Sequence, residues 1–129
     1  MRLIIGISGA SGVILGYEML KVLQQLPNME VHLVVSEGAM KNFQCETDLQ
    51  LEQVTALAHY VHSNKNMAAS ISSGSFKTDG MIVIPCSMKT VAGIAAGYAE
   101  NLLQRAVDVC LKEGRKVVLV PREMPLSRI

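Results

Sequence analysis

Short apolar runs alternate along this chain with longer stretches of mixed polarity. The runs at about Arg2 to Ile7, Glu30 to Val35, Met81 to Ile84 and Lys116 to Val120 read as strands. They are nearly continuous in hydrophobicity, as strands buried on both faces of a parallel sheet are. Between them, apolar residues recur at helical spacing. Ile14, Leu15, Met19, Val22, Leu23 and Leu26 share one face of a helix from about Ser11 to Leu26, which Pro27-Asn28 ends. A helix from about Glu37 to Phe43 follows the second strand, and about Glu46 to Ala58 reads as another short one. Tyr60 to Lys77 is polar and Ser-rich, with room for one short strand. A helix from about Ser87 to Ala96 is broken by Gly97, and one from about Glu100 to Glu113 is closed by Gly114. This order predicts an α/β fold: a Rossmann-like three-layer αβα arrangement around a mostly parallel, doubly wound sheet.

Two of the strands run straight into small hydroxyl-rich loops. Leu3 to Ile7 leads into Ser8-Gly9-Ala10-Ser11-Gly12, and Met81 to Ile84 into Pro85-Cys86-Ser87-Met88-Lys89-Thr90. Such sheets bind ligands at the carboxyl ends of their strands. There, backbone N–H groups and the helix dipole attract phosphate, glycine admits close approach, and Ser or Thr adds donors. Gly6, Gly9 and Gly12 match neither the dinucleotide fingerprint nor the Walker loop. Ser36 stands after the second strand where an acidic residue would hold a ribose, so a mononucleotide such as FMN fits better than NAD. A tight strand–helix turn with no ligand is the plain alternative, and Ser87 reads equally as an N-cap.

At 129 residues, half of them hydrophobic, the expectation is one folded domain. A formal charge of +1 argues against a nucleic-acid surface, and no apolar run is long enough for a bilayer. Cys45, Cys86 and Cys110, odd in number and widely spaced, suit a reducing cytoplasm. Cys86 reads as a buried thiol, and His59 with His62 as surface histidines and no metal site. No GxSxG elbow is present. Asn101, Arg105, Asp108 and Lys112 make one polar stripe on their helix, which spacing alone assigns to a solvated face. Arg122-Glu123 closes the last strand as a surface ion pair or as part of the ligand edge. That strand has no helix after it and Met-rich apolar surface is plentiful, so a homo-oligomer is expected.

Read together, these segments resemble the flavin prenyltransferase family, whose members were long labelled phenylacrylic (hydroxyarylic) acid decarboxylases. The matching stretches are Gly6 to Gly12, Ser36, Glu46-Thr47-Asp48, Ser73-Gly74-Ser75, Pro85 to Thr90, Asn101 to Val109, Leu111-Lys112-Glu113 and Val120 to Leu126. The resemblance implies a flavin-binding domain over residues 1–129, assembled as trimers or dodecamers. Carried over by residue, FMN contacts fall on Gly9, Ala10, Ser11, Ser36, Ser87, Met88, Lys89, Thr90 and Arg122. The prenyl-phosphate side falls on Glu46, Arg105, Lys112 and Glu123, without metal. The implied reaction joins a dimethylallyl group from dimethylallyl phosphate to reduced FMN, and the product serves a separate decarboxylase. Family members continue for several dozen residues past Pro125-Leu126 and bring a Tyr and a basic residue to the prenyl phosphate. The expectation is therefore retained FMN binding with weakened turnover. A flavin-dependent carboxy-lyase acting on phenolic acids and an inactive flavin-binding remnant are the alternatives. Flavin-dependent cysteine decarboxylases are a second relative, disfavoured because they place a His before the fourth strand and an Asn after it, where this chain has Ser73-Gly74-Ser75 and Ser87 to Thr90.

Overall fold

The computed structural model describes residues 1–123. The Met124, Pro125 and Leu126 of the matching stretch lie outside the described residues. The elements run β1 (Arg2–Ile7), α1 (Ile14–Gln24), β2 (Glu30–Val35), α2 (Glu37–Glu46), α3 (Leu51–Thr55), β3 (Tyr60–Ser63), a 3-10 turn at Ser70–Ser72, β4 (Gly80–Cys86), α4 (Met88–Ala95), α5 (Leu102–Lys112) and β5 (Lys116–Pro121). The strands form one sheet in the order β3-β2-β1-β4-β5, with each neighbouring pair parallel.

Side chains alternate across this sheet and divide the core in two. Ile5, Ile7, Leu33 and Val35 face Val13, Leu20 and Leu23 at α1 and Ala39 and Phe43 on α2. Ile4, Val34, Met81 and Val83 face Leu102, Leu103, Ala106, Val107 and Cys110 at α5. The expected three layers are present. Helix α4, by contrast, buries no residue fully. Val91 and Ile94 lean on the α5 side of the core, while Tyr98, Ile14, Leu15 and Val118 remain exposed.

Several boundaries differ from the sequence reading, each for a local reason. Helix α1 starts at Ile14 because Gly12 takes a φ of +91°, which keeps the preceding loop out of helical geometry. Glu46 ends α2 instead of opening the next helix. The Thr47 hydroxyl donates to the Phe43 carbonyl and accepts from the Leu49 N–H, which turns the chain there. Strand β4 continues past Ile84 through Pro85. A proline lacks the N–H but keeps its carbonyl, and that oxygen accepts from the Ser8 N–H at 3.2 Å.

Gly16 sits inside α1, where helix propensity alone favours alanine by about 1 kcal/mol. Packing reverses that sign. A Cβ there would stand 2.7 Å from the Ile84 carbonyl oxygen and 2.7 Å from Ile7 Cδ1. Gly16→Ala should therefore lower stability by about 2 kcal/mol in urea titration. A stabilised variant would show that α1 can lift off the sheet freely.

A polar relay crosses the α5 side of the sheet. Arg2 ion-pairs with Glu30, whose Oε2 lies 2.8 Å from His32 Nε2, and His32 Nδ1 lies 2.9 Å from His62 Nε2. His32 is 3% exposed and stacks on Tyr60 with ring centroids 4.7 Å apart. A carboxylate only accepts, so the proton on His32 belongs to Nε2, and His62 then donates to Nδ1. Burial first, and then the neighbouring His32, hold His62 below its ordinary value of 6.5. The unfolded chain thus binds a proton at His62 that the folded one resists. Stability should fall as pH drops through about 6.5, and His62→Gln should flatten that slope in melts between pH 7.5 and 5.5. Glu30, held low first by His32 and then by Arg2, loses its contribution in a separate window below 4.5.

Candidate functional site

The strand order reverses direction at β1. Its chain continuation goes to β2 on one side, while β4 lies on the other. The helices that follow β1 and β4 pack on opposite faces, so a crevice opens between the carboxyl ends of these two strands.

Ser8 closes the floor of that crevice. It is 2% exposed, its Oγ donates to the Pro85 carbonyl at 3.0 Å, and the same oxygen accepts from the Ser87 N–H at 2.7 Å. One hydroxyl thus fixes the loop after β1 to the loop after β4. A neighbouring close approach fixes the loop after β2. A Cβ on Gly9 would lie 3.0 Å from the backbone Cα and C of Gly38. Glycine in the first turn of α2 is poor for propensity, and this contact gives its reason.

Helix starts surround the opening. Ser36 caps α2 by accepting from the Ala39 N–H at 3.1 Å. Ser87 caps α4 by accepting from the Thr90 N–H at 3.2 Å while donating to Thr90 Oγ1 at 2.9 Å. Helix α1 has no side-chain cap. Its entry is held by α2, with Glu46 Oε1 accepting from the Gly12 N–H at 2.9 Å and Asn42 donating to the Ala10 carbonyl at 3.1 Å. Arg122 arrives from the end of β5, with its Nε 3.7 Å from where a Gly12 Cβ would be.

The resulting cleft has a volume of about 680 Å³. Of the residues singled out in the sequence, Gly9, Ser36, Ser87, Lys89 and Thr90 line it. Glu46 and Arg122 each approach Gly12, and none of the three is among the cleft's lining residues. Ala10 is buried in the loop, Ser11 is exposed and Met88 is half-buried. Of the α5 stripe, Asn101 also lines the cleft, at the helix start, and the rest goes elsewhere. Arg105 donates to the Ser72 carbonyl at 3.3 Å and stands 3.6 Å from Asp108, which pairs with Lys112 at 2.9 Å. Lys112 is the last residue of α5, two turns beyond Arg105, outside the cleft lining. Glu123 is exposed, one residue past Arg122.

The sequence reading passed over Gly38, Lys41, Asn64, Lys65 and Gln104, which also line the cleft. Asn64 and Lys65 come from the polar stretch after β3 that carried no periodicity to read. Lys65 pairs with Glu37 at 2.7 Å on the rim, both well exposed, and Lys41 and Lys89 add positive charge. Cys86 is not a nucleophile here, because burial pushes its thiol up to about 11. A more open hollow of about 560 Å³ lies at the opposite, amino edge of the sheet around Met1, Asn28 and Asp79. It holds no convergence of helix starts.

The cleft therefore offers capped helix N-termini, glycine backbone at close range and lysines, a donor set for an anionic, phosphate-bearing group. A sequence profile described as Flavoprotein matches residues 1–127. The chain belongs to the Flavoprotein family. It is 73% identical over 129 residues to a probable UbiX-like flavin prenyltransferase of Sedimentibacter hydroxybenzoicus, covering 100% of this chain and 68% of that protein. Its fold superposes with a TM-score of 0.97 on a dodecameric FMN-dependent UbiX-like decarboxylase from Escherichia coli O157:H7, at 58% identity, over 99% of this chain and 69% of the other. A second structure, AnUbiX (PadA1) in complex with FMN and dimethylallyl pyrophosphate, gives a TM-score of 0.95 at 50% identity, covering 98% and 67%. The chain spans about two thirds of the length of the curated relatives it matches, with 68% and 66% of the first two.

In this flavoprotein the Ser8 hydroxyl is the joint on which the loop geometry rests. Ser8→Ala would remove the acceptor of the half-buried Ser87 N–H and the donor to the Pro85 carbonyl, and loosen both loops. It should lower stability by about 1–3 kcal/mol, measured by chemical denaturation. A Ser8→Ala protein as stable as the parent would mean the loops hold their register without it.

Proposed function

We propose that this protein is a flavin prenyltransferase: it binds FMN in the cleft at the β1/β4 switch point and joins a dimethylallyl group from dimethylallyl phosphate to the reduced flavin. The observation that carries this reading is the cradle built by the loops after β1, β2 and β4. Ser36 and Ser87 open helices onto it, Gly9 and Gly38 admit close approach, and Arg122 and Glu46 flank Gly12. That arrangement fits a phosphate ester with a planar head, and it agrees with the FMN and dimethylallyl pyrophosphate held by the solved relative. The FMN-binding domain is this single α/β unit.

Bound reduced FMN supplies the electron-rich ring that accepts the prenyl group. The chain's own residues do the rest. Gly9, Ala10, Ser11, Ser36, Ser87, Met88, Lys89, Thr90 and Arg122 hold and orient the flavin. The α2 and α4 starts, with Lys89, neutralise its phosphate. Glu46 holds the entry to α1 through the Gly12 N–H and presents carboxylate beside the reacting edge. Arg105 and Lys112 are the cations for the departing phosphate, and Glu123 is the proton donor or acceptor.

Arg105 and Lys112 stand seven residues apart on α5, about 10 Å along its axis. Lys112 is outside the cleft lining of its own chain, so both roles require a site closed by a second copy. A trimer or dodecamer supplies that copy, and the exposed Ile14, Leu15, Tyr98 and Val118 provide apolar surface for it. The dodecameric relative supports the same reading. Further parts of the proposal are a separate decarboxylase as recipient of the product, a cytoplasmic location consistent with three unpaired cysteines, and no role for nucleic acid, membrane or metal. No helix among the described residues is long and apolar enough to cross a membrane.

The test mixes protein, reduced FMN and dimethylallyl phosphate, and looks by mass spectrometry for flavin heavier by one prenyl unit. Thr90→Glu, which sets a carboxylate against the phosphate at the α4 start, should abolish FMN binding and the adduct together. FMN affinity unchanged in Thr90→Glu would remove the cleft from the reading. Release of carbon dioxide from a phenolic acid by this protein alone, with no flavin adduct, would replace the transferase with a carboxy-lyase.

A further inference from the structure

The first turn of α5 is closed to ligands. The Asn64 carbonyl accepts from the Leu102 N–H at 2.9 Å, Asn64 Oδ1 accepts from the Leu103 N–H at 2.8 Å, and Asn101 Oδ1 accepts from the Gln104 N–H at 2.9 Å. What α5 presents to the cleft is instead a neutral side chain. Gln104 is 4% exposed and lines the cleft. Its Oε1 accepts from the Glu100 backbone N–H at 3.2 Å. A backbone N–H can only donate, so this contact fixes which end of the carboxamide is oxygen. The Nε2 end has no hydrogen-bond partner among the described residues.

Although the residue is buried, Nε2 is not sealed inside the protein, as Thr78 Oγ1 is, so this unpaired donor keeps access to the cleft that Gln104 lines. Space has also been kept for it. A Cβ on Gly93 of α4 would stand 2.6 Å from Nε2. The bare glycine thus lets the amide rest against α4 at the cleft wall. Among the cleft's donors this one is uncharged and carried by no helix dipole. The anionic phosphate has stronger attraction at the α2 and α4 starts and at the lysines. The neutral donor suits a neutral acceptor.

We infer that Gln104 is a flavin-contacting residue whose Nε2 donates to an uncharged oxygen of the bound cofactor, a ring carbonyl or a ribityl hydroxyl, and so sets the tilt of the flavin across the cleft. Gly93 is its companion, since its missing side chain leaves Nε2 free to do so. This assignment rests on the flavin reading above and adds the polar contact that orients the ring rather than the phosphate.

The experiment titrates the full protein with FMN and with riboflavin, which lacks the phosphate, by flavin fluorescence. Gln104→Met keeps volume and removes the donor. It should weaken both ligands equally, by about tenfold. Loss on FMN alone would overturn the assignment to a neutral oxygen, and unchanged affinity for both would show that Nε2 meets only water. Gln104→Glu retains the oxygen that accepts from Glu100 but replaces the donor. It should bind riboflavin weakly at pH 8 and recover as pH falls, because a buried carboxyl regains a proton to donate. A merely structural role predicts no such recovery, and its absence overturns the inference. Gly93→Ala, with Gln104 intact, should weaken both ligands through the crowded Nε2. A parent protein that binds neither flavin would overturn the flavin reading itself, whereas normal parent binding with unaffected variants overturns only the role of Gln104.

Discussion

One hydroxyl governs how the sheet opens. Ser8 donates to Pro85 and accepts from Ser87, so the loops leaving β1 and β4 are tied at the point where the strand order reverses. The two strands are distant in sequence and feed helices on opposite faces. A backbone bond from the Ser8 N–H to the Pro85 carbonyl joins their ends, and the hydroxyl extends that tie to Ser87 while each helix packs on its own half of the core. Ser8 is buried, so its bond operates at low local dielectric and its loss would leave an unsatisfied amide. The placement of Gly9, the start of α4 and the cap at Ser87 all follow from that tie.

Around this joint the helix ends are used in different ways. The starts of α2 and α4 are capped by single serines on one N–H each, which leaves the rest of the first turn facing the crevice. The start of α5 is filled by Asn64 and Asn101. The start of α1 is steered by Asn42 and Glu46 across a loop that Gly12 bends out of helical geometry. Charge attraction is therefore concentrated on one side of the cleft, and neutral hydrogen bonding on the other. An asymmetric ligand, anionic at one end and planar and uncharged at the other, matches that division. A flavin mononucleotide has this form.

The outer surface belongs to the same logic. Helix α4 is only half-buried against the core, Val118 on β5 is exposed, and the Arg105–Asp108–Lys112 stripe runs away from the cleft of its own chain. Asp108 neutralises both cations only in part, since each of them is more than a third exposed.

Much of this was legible in the chain itself. Continuous apolar strands between helical stretches gave a parallel three-layer sheet, because burial on both faces leaves no polar alternation. Hydroxyl and glycine clusters at strand ends marked the ligand edge, and Ser36 and Ser87 were readable as caps since their role needs only local backbone. The motifs at Gly9–Gly12, Ser87–Thr90 and Arg105–Lys112 carried the family. Only the tertiary structure decided that Gly16 must stay bare against Ile84, that Gly38 faces Gly9, and that Lys112 leaves the cleft while Asn64 and Gln104 enter it. It also drew His62, read as a surface residue, into a relay with buried His32, while His59 stays exposed and accepts from the Val31 N–H. The reason is common to all of these. Each depends on which segments the β3-β2-β1-β4-β5 order sets side by side, and a contact across the sheet leaves no periodic trace along the chain.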